Sequence, residues 1–242
     1  MDIFTLQIVR AILLGFISMV FAFFISPYLL GFLKKYQFGT KNTKDDAAPI
    51  FSKLHKDDDG TPRMAGVLIW GVPVFLACIF WILSKLTNLD VFHLLNFISR
   101  QETLLIIGVI VLAGLIGIID DFMSIFKIGG KKGLNMFKRL LMCAVLGLVC
   151  ALWFYFKLDW TVTFVPFKGL VDLGLWFIPF FVFIFVASTF SLNETDGIDG
   201  LSSGVSLIAL AVFIIISIVQ GRFELTALLM VIGGALVPYL WY

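Results

Sequence analysis

Long apolar runs separated by short polar stretches organise this chain. They fall at about 8–33, 64–86, 103–120, 139–156, 172–192, 201–220 and 225–242. A helix needs roughly 20 apolar residues to cross a hydrocarbon core of about 30 Å. The pattern therefore predicts an all-α polytopic membrane protein with seven transmembrane helices. Pro27 in the first span and Pro179 in the fifth are predicted kink points. The segment 158–170 breaks the helical pattern. There Trp160, Val162 and Phe164 alternate with Thr161 and Thr163, which predicts a short external strand or β-hairpin. Its aromatic residues also suit the membrane interface.

Composition sharpens this reading. Sixty per cent of residues are hydrophobic and 14% are charged, with a mean hydropathy of +1.04, values that exclude a soluble domain of this length. Asp2 stands where a signal peptide would carry basic charge, and no small-x-small cleavage site follows, so the first run reads as a span. The chain stops at Trp241-Tyr242 within an apolar run, which reads as a fragment of a longer protein, inactive alone. Cys78, Cys143 and Cys150 lie in apolar runs without a CxxC pattern and read as small buried hydrophobes.

Charge sets the orientation. Twelve of the eighteen Lys and Arg fall in the loops after spans one and three, or just beyond them, and six on the opposite side. The loops around 34–63 and 121–138 are thus expected to be cytoplasmic, with the N-terminus outside. The net charge of +2 is a sum over separate loops and says little about partners. The orientation rule by itself accounts for most of the loop lysines, and contact with anionic headgroups is the other reading.

Two acidic clusters interrupt the apolar pattern. Asp120-Asp121 follows the run Leu104–Ile119, and Asn193-Glu194-Thr195-Asp196-Gly197-Ile198-Asp199-Gly200 separates spans five and six. Acids at the ends of spans are costly to desolvate and need a reason to be there. The orientation puts both clusters on the cytoplasmic side. Without a histidine or cysteine pattern, they suggest oxygen ligation of a hard cation, as when Mg²⁺ is held against phosphates. Simpler readings exist for each. Asn193 or Asp196 would serve as the N-cap of the sixth span. Asp120-Asp121 would be a solvated helix end, unfavourable to the helix dipole and relieved by a cation. Asp196 and Asp199 share a face if they open a helix, whereas Asp120 and Asp121 point about 100° apart and take different roles. Thr61 and Pro62 fit an ordinary N-cap and first turn, with Arg63 either a phosphate ligand or a headgroup anchor. His55 and His93 fall on opposite faces and form no common metal site.

These stretches resemble the polyprenyl-phosphate N-acetylhexosamine-1-phosphate transferases, glycosyltransferase family 4. The resemblance rests on Asn193–Leu201, on Gly117-Ile-Ile-Asp-Asp-Phe122 followed by Lys132-Gly133-Leu134 and Lys138, and on Gly60-Thr-Pro-Arg-Met-Ala-Gly66 preceded by Lys53-Leu54-His55-Lys56. The last of these is most similar to the phospho-N-acetylmuramoyl-pentapeptide branch. The motifs occur in the family's order from about residue 20 to the end.

The resemblance implies a ten-helix fold, of which this chain holds about seven spans as one membrane-embedded transferase domain. It implies a bacterial inner-membrane enzyme with a cytoplasmic site, moving phospho-MurNAc-pentapeptide from UDP-MurNAc-pentapeptide to undecaprenyl phosphate. Lipid I and UMP would be the products, and the step would open the membrane stage of peptidoglycan synthesis. Mg²⁺ is the implied cofactor. The implied residues are Asp120, Asp121 and Asp199 for catalysis, and Asp196 and Asp199 for the metal. Lys53, Lys56, Thr61, Lys138 and Asn193 are implied for substrate. Expected partners are these two substrates and membrane lipid, with no nucleic acid; a homodimer is left open. Phe190, where the family has Asn, and Arg63 and Ala65, where the branch has Thr and Gly, are departures. A GlcNAc-1-phosphate transferase is the same-fold alternative. A secondary transporter is the alternative of another class, disfavoured because its acids would sit near the midplane.

Overall fold

The computed structural model describes residues 2–36, 64–87, 89–98, 100–125, 136–195 and 200–241. Among these, seven helices are long and apolar enough to cross a membrane, one for each predicted run. They are α1 (Ile3–Lys35), α2 (Val67–Leu86), α4 (Gln101–Ile125), α5 (Met136–Lys157), α6 (Phe177–Thr195), α7 (Leu201–Val219) and α8 (Phe223–Trp241). A six-residue helix, α3 (Asp90–Leu95), links α2 to α4. The chain is a multi-pass membrane protein.

The predicted hairpin is present. Strands β1 (Val162–Val165) and β2 (Gly169–Asp172) pair antiparallel between α5 and α6, with Phe164 opposite Leu170 and Val162 opposite Asp172. This defines two ends of the molecule. The hairpin end carries α3, the hairpin and the start of α8; the acidic end carries the close of α4, the start of α5 and the close of α6.

The buried core lies between α1, α2 and α8. Small residues let α1 and α8 pack in parallel at short range: a Cβ on Gly234 would collide with the carbonyl oxygen of Gly15 and meet Ser18 Cβ at 3.1 Å. Ser18 Oγ donates to the carbonyl of Val231 at 2.7 Å, satisfying a buried hydroxyl where no water is at hand. Leu14, Leu228 and Val231 fill the seam, and Phe21 stacks on Phe75 to bring in α2. At the hairpin end the same seam closes on a buried arginine. Arg10 makes a bidentate pair with Glu224 (3.0 and 3.1 Å) and also donates to Gln7 and to the carbonyl of Asn96. A buried charge requires this degree of pairing.

Pro27 lies inside α1, which continues across it as a single helix. Other expectations need correction. Pro179 is the third residue of α6, where its missing N–H falls among donors that lack a helical partner anyway, so it marks a start instead of a kink. The prolines inside helices further along are Pro73 and Pro238, both buried. Cys78 is exposed, unlike Cys150, and all three thiols are free. Among the seven spans α8 is one of the best buried, while α4, α6 and α7 are the least covered.

Candidate functional site

Asp120 and Asp121 lie on α4, and the helix continues past them to Ile125. They are therefore not at its terminus as expected, and opposition to the dipole, confined to the last turn, is not their main problem. Asp120 instead meets a counter-charge from the next span: Arg139 Nη2 lies 2.7 Å from its Oδ2. The carboxylate is mostly buried and the guanidinium about half exposed. Asp121, one residue on, is half-buried. In the sequence Arg139 counts only among the orienting charges. The signal for it was available: it is the second basic residue in the opening turn of α5, just across the connection from Asp120.

The antiparallel pairing of α5 with α6 fixes where Asn193 lies. Phe154 packs against Phe177 and Phe181 (ring centroids 6.5 and 5.2 Å apart), and Gly147 is small because Phe185 lies against it. Eight residues from Gly147 lead back to Arg139, and eight from Phe185 lead on to Asn193. At 1.5 Å per residue both helices run about 12 Å from the contact. Asn193 thus ends level with Arg139 and, through it, with Asp120. It is exposed in the last turn of α6, and Lys138 is exposed beside Arg139. Three spans therefore deliver Asp120, Asp121, Lys138 and Asn193 to one end of the molecule.

The remaining predicted residues, Lys53, Lys56, Thr61, Asp196 and Asp199, lie outside the described residues, as does His55. Their neighbours still bear on them. The N-cap of α7 is Gly200 (φ +78°), with no side-chain cap bond, so neither Asn193 nor Asp196 caps that helix. Gly200 has a structural reason to be glycine: its left-handed conformation and its approach to Leu240, which would lie 3.0 Å from a Cβ there. Likewise α2 begins at Val67, after a turn in which Met64 takes φ +70°, so Pro62 is not in the first turn of that helix. His93 is exposed on α3, at the hairpin end.

Among the described residues no three acids, histidines or cysteines come together as a metal set. What they do offer is two adjacent carboxylates flanked by cations. That donor chemistry suits a hard divalent ion bound by one or two carboxylates and completed by phosphate oxygens.

The profile of glycosyl transferase family 4 matches residues 103–242, more than half of the chain and all of the region just described. The chain belongs to glycosyl transferase family 4. It is also similar to phospho-N-acetylmuramoyl-pentapeptide-transferases. The enzyme of Clostridium novyi (strain NT) is 30% identical over 93% of this chain and 65% of its own length. That of Acetivibrio thermocellus (strain ATCC 27405) is 32% identical over 91% and 61%. That of Thermoanaerobacter sp. (strain X514) is 29% identical over 96% and 67%. The chain thus spans about two thirds of the length of these relatives. The family match covers both acidic stretches, and the relatives' match extends over nearly the whole chain.

Proposed function

We propose that this family 4 protein takes part in transfer of phospho-MurNAc-pentapeptide from UDP-MurNAc-pentapeptide to undecaprenyl phosphate, giving lipid I and UMP. The single observation that supports it most is Asp120-Asp121, set against Arg139 and level with Asn193, at one end of three adjacent spans. This is a charged site at a membrane surface, suited to a soluble anionic nucleotide on one side and a lipid phosphate on the other. The cytoplasmic side of the inner membrane is the proposed location, from the excess of Lys and Arg at that end.

In this reading a phosphate oxygen of the lipid attacks the β-phosphorus of the nucleotide sugar. The bond from that phosphorus to the bridging oxygen breaks, and UMP departs with the electron pair. Asp121 takes the proton from the lipid phosphate when it is protonated. Lys138 and Arg139 face charge that grows on the phosphoryl oxygens, and Asn193 orients the nucleotide sugar. Mg²⁺, held by Asp120 with Asp196 and Asp199, would neutralise the pyrophosphate.

The test is calorimetric titration of the chain in lipid nanodiscs with UDP-MurNAc-pentapeptide, with and without Mg²⁺. Saturable binding that strengthens with Mg²⁺ and weakens in Asp120→Asn is the expected outcome. Failure to bind under either condition sinks the proposal. Preference for UDP-GlcNAc would move it to the GlcNAc-1-phosphate branch.

A further inference from the structure

The hairpin at the opposite end carries a feature that the transfer reaction does not use. Its turn runs Val165-Pro166-Phe167-Lys168, closed by a bond from the Lys168 N–H to the Val165 carbonyl at 3.1 Å. Proline at the second position and positive φ at the third are the marks of a type II turn, whose third position favours glycine. Here that position holds Phe167 at φ +67°, a strained conformation for a bulky residue, and its ring is fully exposed. Neither local folding nor burial within the chain accounts for an aromatic side chain there.

The rest of the tip has the same character. Phe164 and Leu170, opposite each other across the ladder, are both exposed on one face. Lys168 is the only charge at the tip, while Asp159 and Asp172 lie at the feet. The feet are also where the molecule meets the bilayer surface. One foot leaves the membrane-spanning α5 beside exposed Phe156, and the other enters α6 through exposed Leu175 and Trp176. At the first foot Trp160 stacks over Arg222, which is paired with Glu102, so the base is held against the outer ends of α4 and α8. An apolar tip with one cation, rooted in a ring of interfacial aromatics, matches the acyl–headgroup boundary of a bilayer.

We propose that the hairpin is a membrane-surface anchor: Phe167, Phe164 and Leu170 insert into the leaflet at that end, and Lys168 meets lipid phosphate. The lipid surface is favoured over a protein partner because the apolar face continues directly into the lipid-facing residues of α5 and α6.

The test uses trifluoromethyl-phenylalanine placed singly at residue 167, 164 or 156 of the chain, in nanodiscs of phosphatidylethanolamine and phosphatidylglycerol. Fluorine relaxation by dissolved oxygen, which concentrates in lipid, is compared with relaxation by a water-soluble nickel chelate. The probe at Phe156 sets the lipid value of this ratio and the free labelled amino acid sets the water value. The expected ratio at 167 lies on the lipid side of their logarithmic midpoint; a ratio on the water side overturns the anchor. A second arm reads the probe at 164 in Phe167→Gly, which suits the turn and preserves its fold. The ratio there should shift toward water, and an unchanged ratio would remove Phe167 from the anchoring role. Neither arm depends on transferase chemistry, so a failure here is distinct from a failure of the proposed function.

Discussion

Arg139 shows how one residue can hold a site together without being recognisable in a motif. Its guanidinium holds one oxygen of Asp120 at 2.7 Å, which ties the opening turn of α5 to the carboxylate pair of α4. Because the guanidinium is about half exposed, the pair contributes little to stability, about 1 kcal/mol or less after solvent screening. Its effect on the site is of another size, because a charge-assisted hydrogen bond made to a bound phosphate or carboxylate is worth about 1.5–3 kcal/mol. Arg139→Met is therefore expected to leave the melting temperature almost unchanged. It should weaken UDP-MurNAc-pentapeptide binding about 10- to 100-fold at fixed Mg²⁺. Arg139→Lys should recover part of the loss, as a point charge without the planar fork. Equal affinity in all three proteins would make the ion pair a bystander. Asp196 and Asp199 pose a sharper question, since Gly200 has taken the N-cap of α7. Asn at either position would be harmless in a cap, so a loss of Mg²⁺-dependent binding in Asp196→Asn or Asp199→Asn would assign them to the metal.

At the scale of elements, legibility followed length and periodicity. Seven long apolar runs can only be satisfied as spanning helices in lipid, so sequence alone determined them to within a few residues. The hairpin was legible from the alternation at Trp160–Phe164 because its strands expose one face and half-bury the other. The short helix α3 was not, because six residues carry no helical period. Nor was the Asp120–Arg139 pair, which depends on how α4 and α5 cross and not on either sequence. The start of α2 was misplaced because Thr61-Pro62 carries a good cap signal, but Met64 then takes a left-handed conformation that a helix does not tolerate.

The far foot of the hairpin gives a prediction at this scale. The Thr161 hydroxyl and the Gly174 N–H, the latter at 3.0 Å, hold the exposed Asp172 carboxyl below its usual range. A depressed carboxyl adds stability that is complete above its unfolded value and is lost as pH falls through the folded one. The closing of the hairpin onto α6 should therefore loosen only in acid, below the ordinary carboxylate range. Amide exchange at Gly174, corrected for intrinsic rate, should quicken there. Asp172→Ala should show quick exchange at every pH. A Gly174 amide indifferent to both pH and substitution would show that the Asp172 bond does not hold this foot.

For the whole molecule, the decisive feature is how unevenly the spans are packed. The helices α1, α2 and α8 enclose the core, with Arg10–Glu224 closing it at the hairpin end, while α4, α6 and α7 keep most of their apolar surface outward. The acidic residues are thus carried on the loosely packed spans and the rigidity resides in the others. Gly233 and Gly234 are neighbours on α8, but only the second marks a close contact. A Cβ at 234 would run into the α1 backbone at Gly15 and Met19, whereas a Cβ at 233 meets nothing within 4 Å. The neighbouring pair makes a controlled comparison. Gly233→Ala adds a methyl group in open space and replaces a poor helix former, so it should be neutral or raise stability by up to about 1 kcal/mol. Gly234→Ala must push α1 and α8 apart, with an overpacking cost of about 1–3 kcal/mol. It should also strain the Ser18–Val231 hydrogen bond in the same seam. Thermal unfolding in a mild detergent should place Gly234→Ala well below the parent and Gly233→Ala at or above it. If the two variants melt together, the close α1–α8 seam is not what holds the core, and the division into a rigid trio and looser site-bearing spans fails with it.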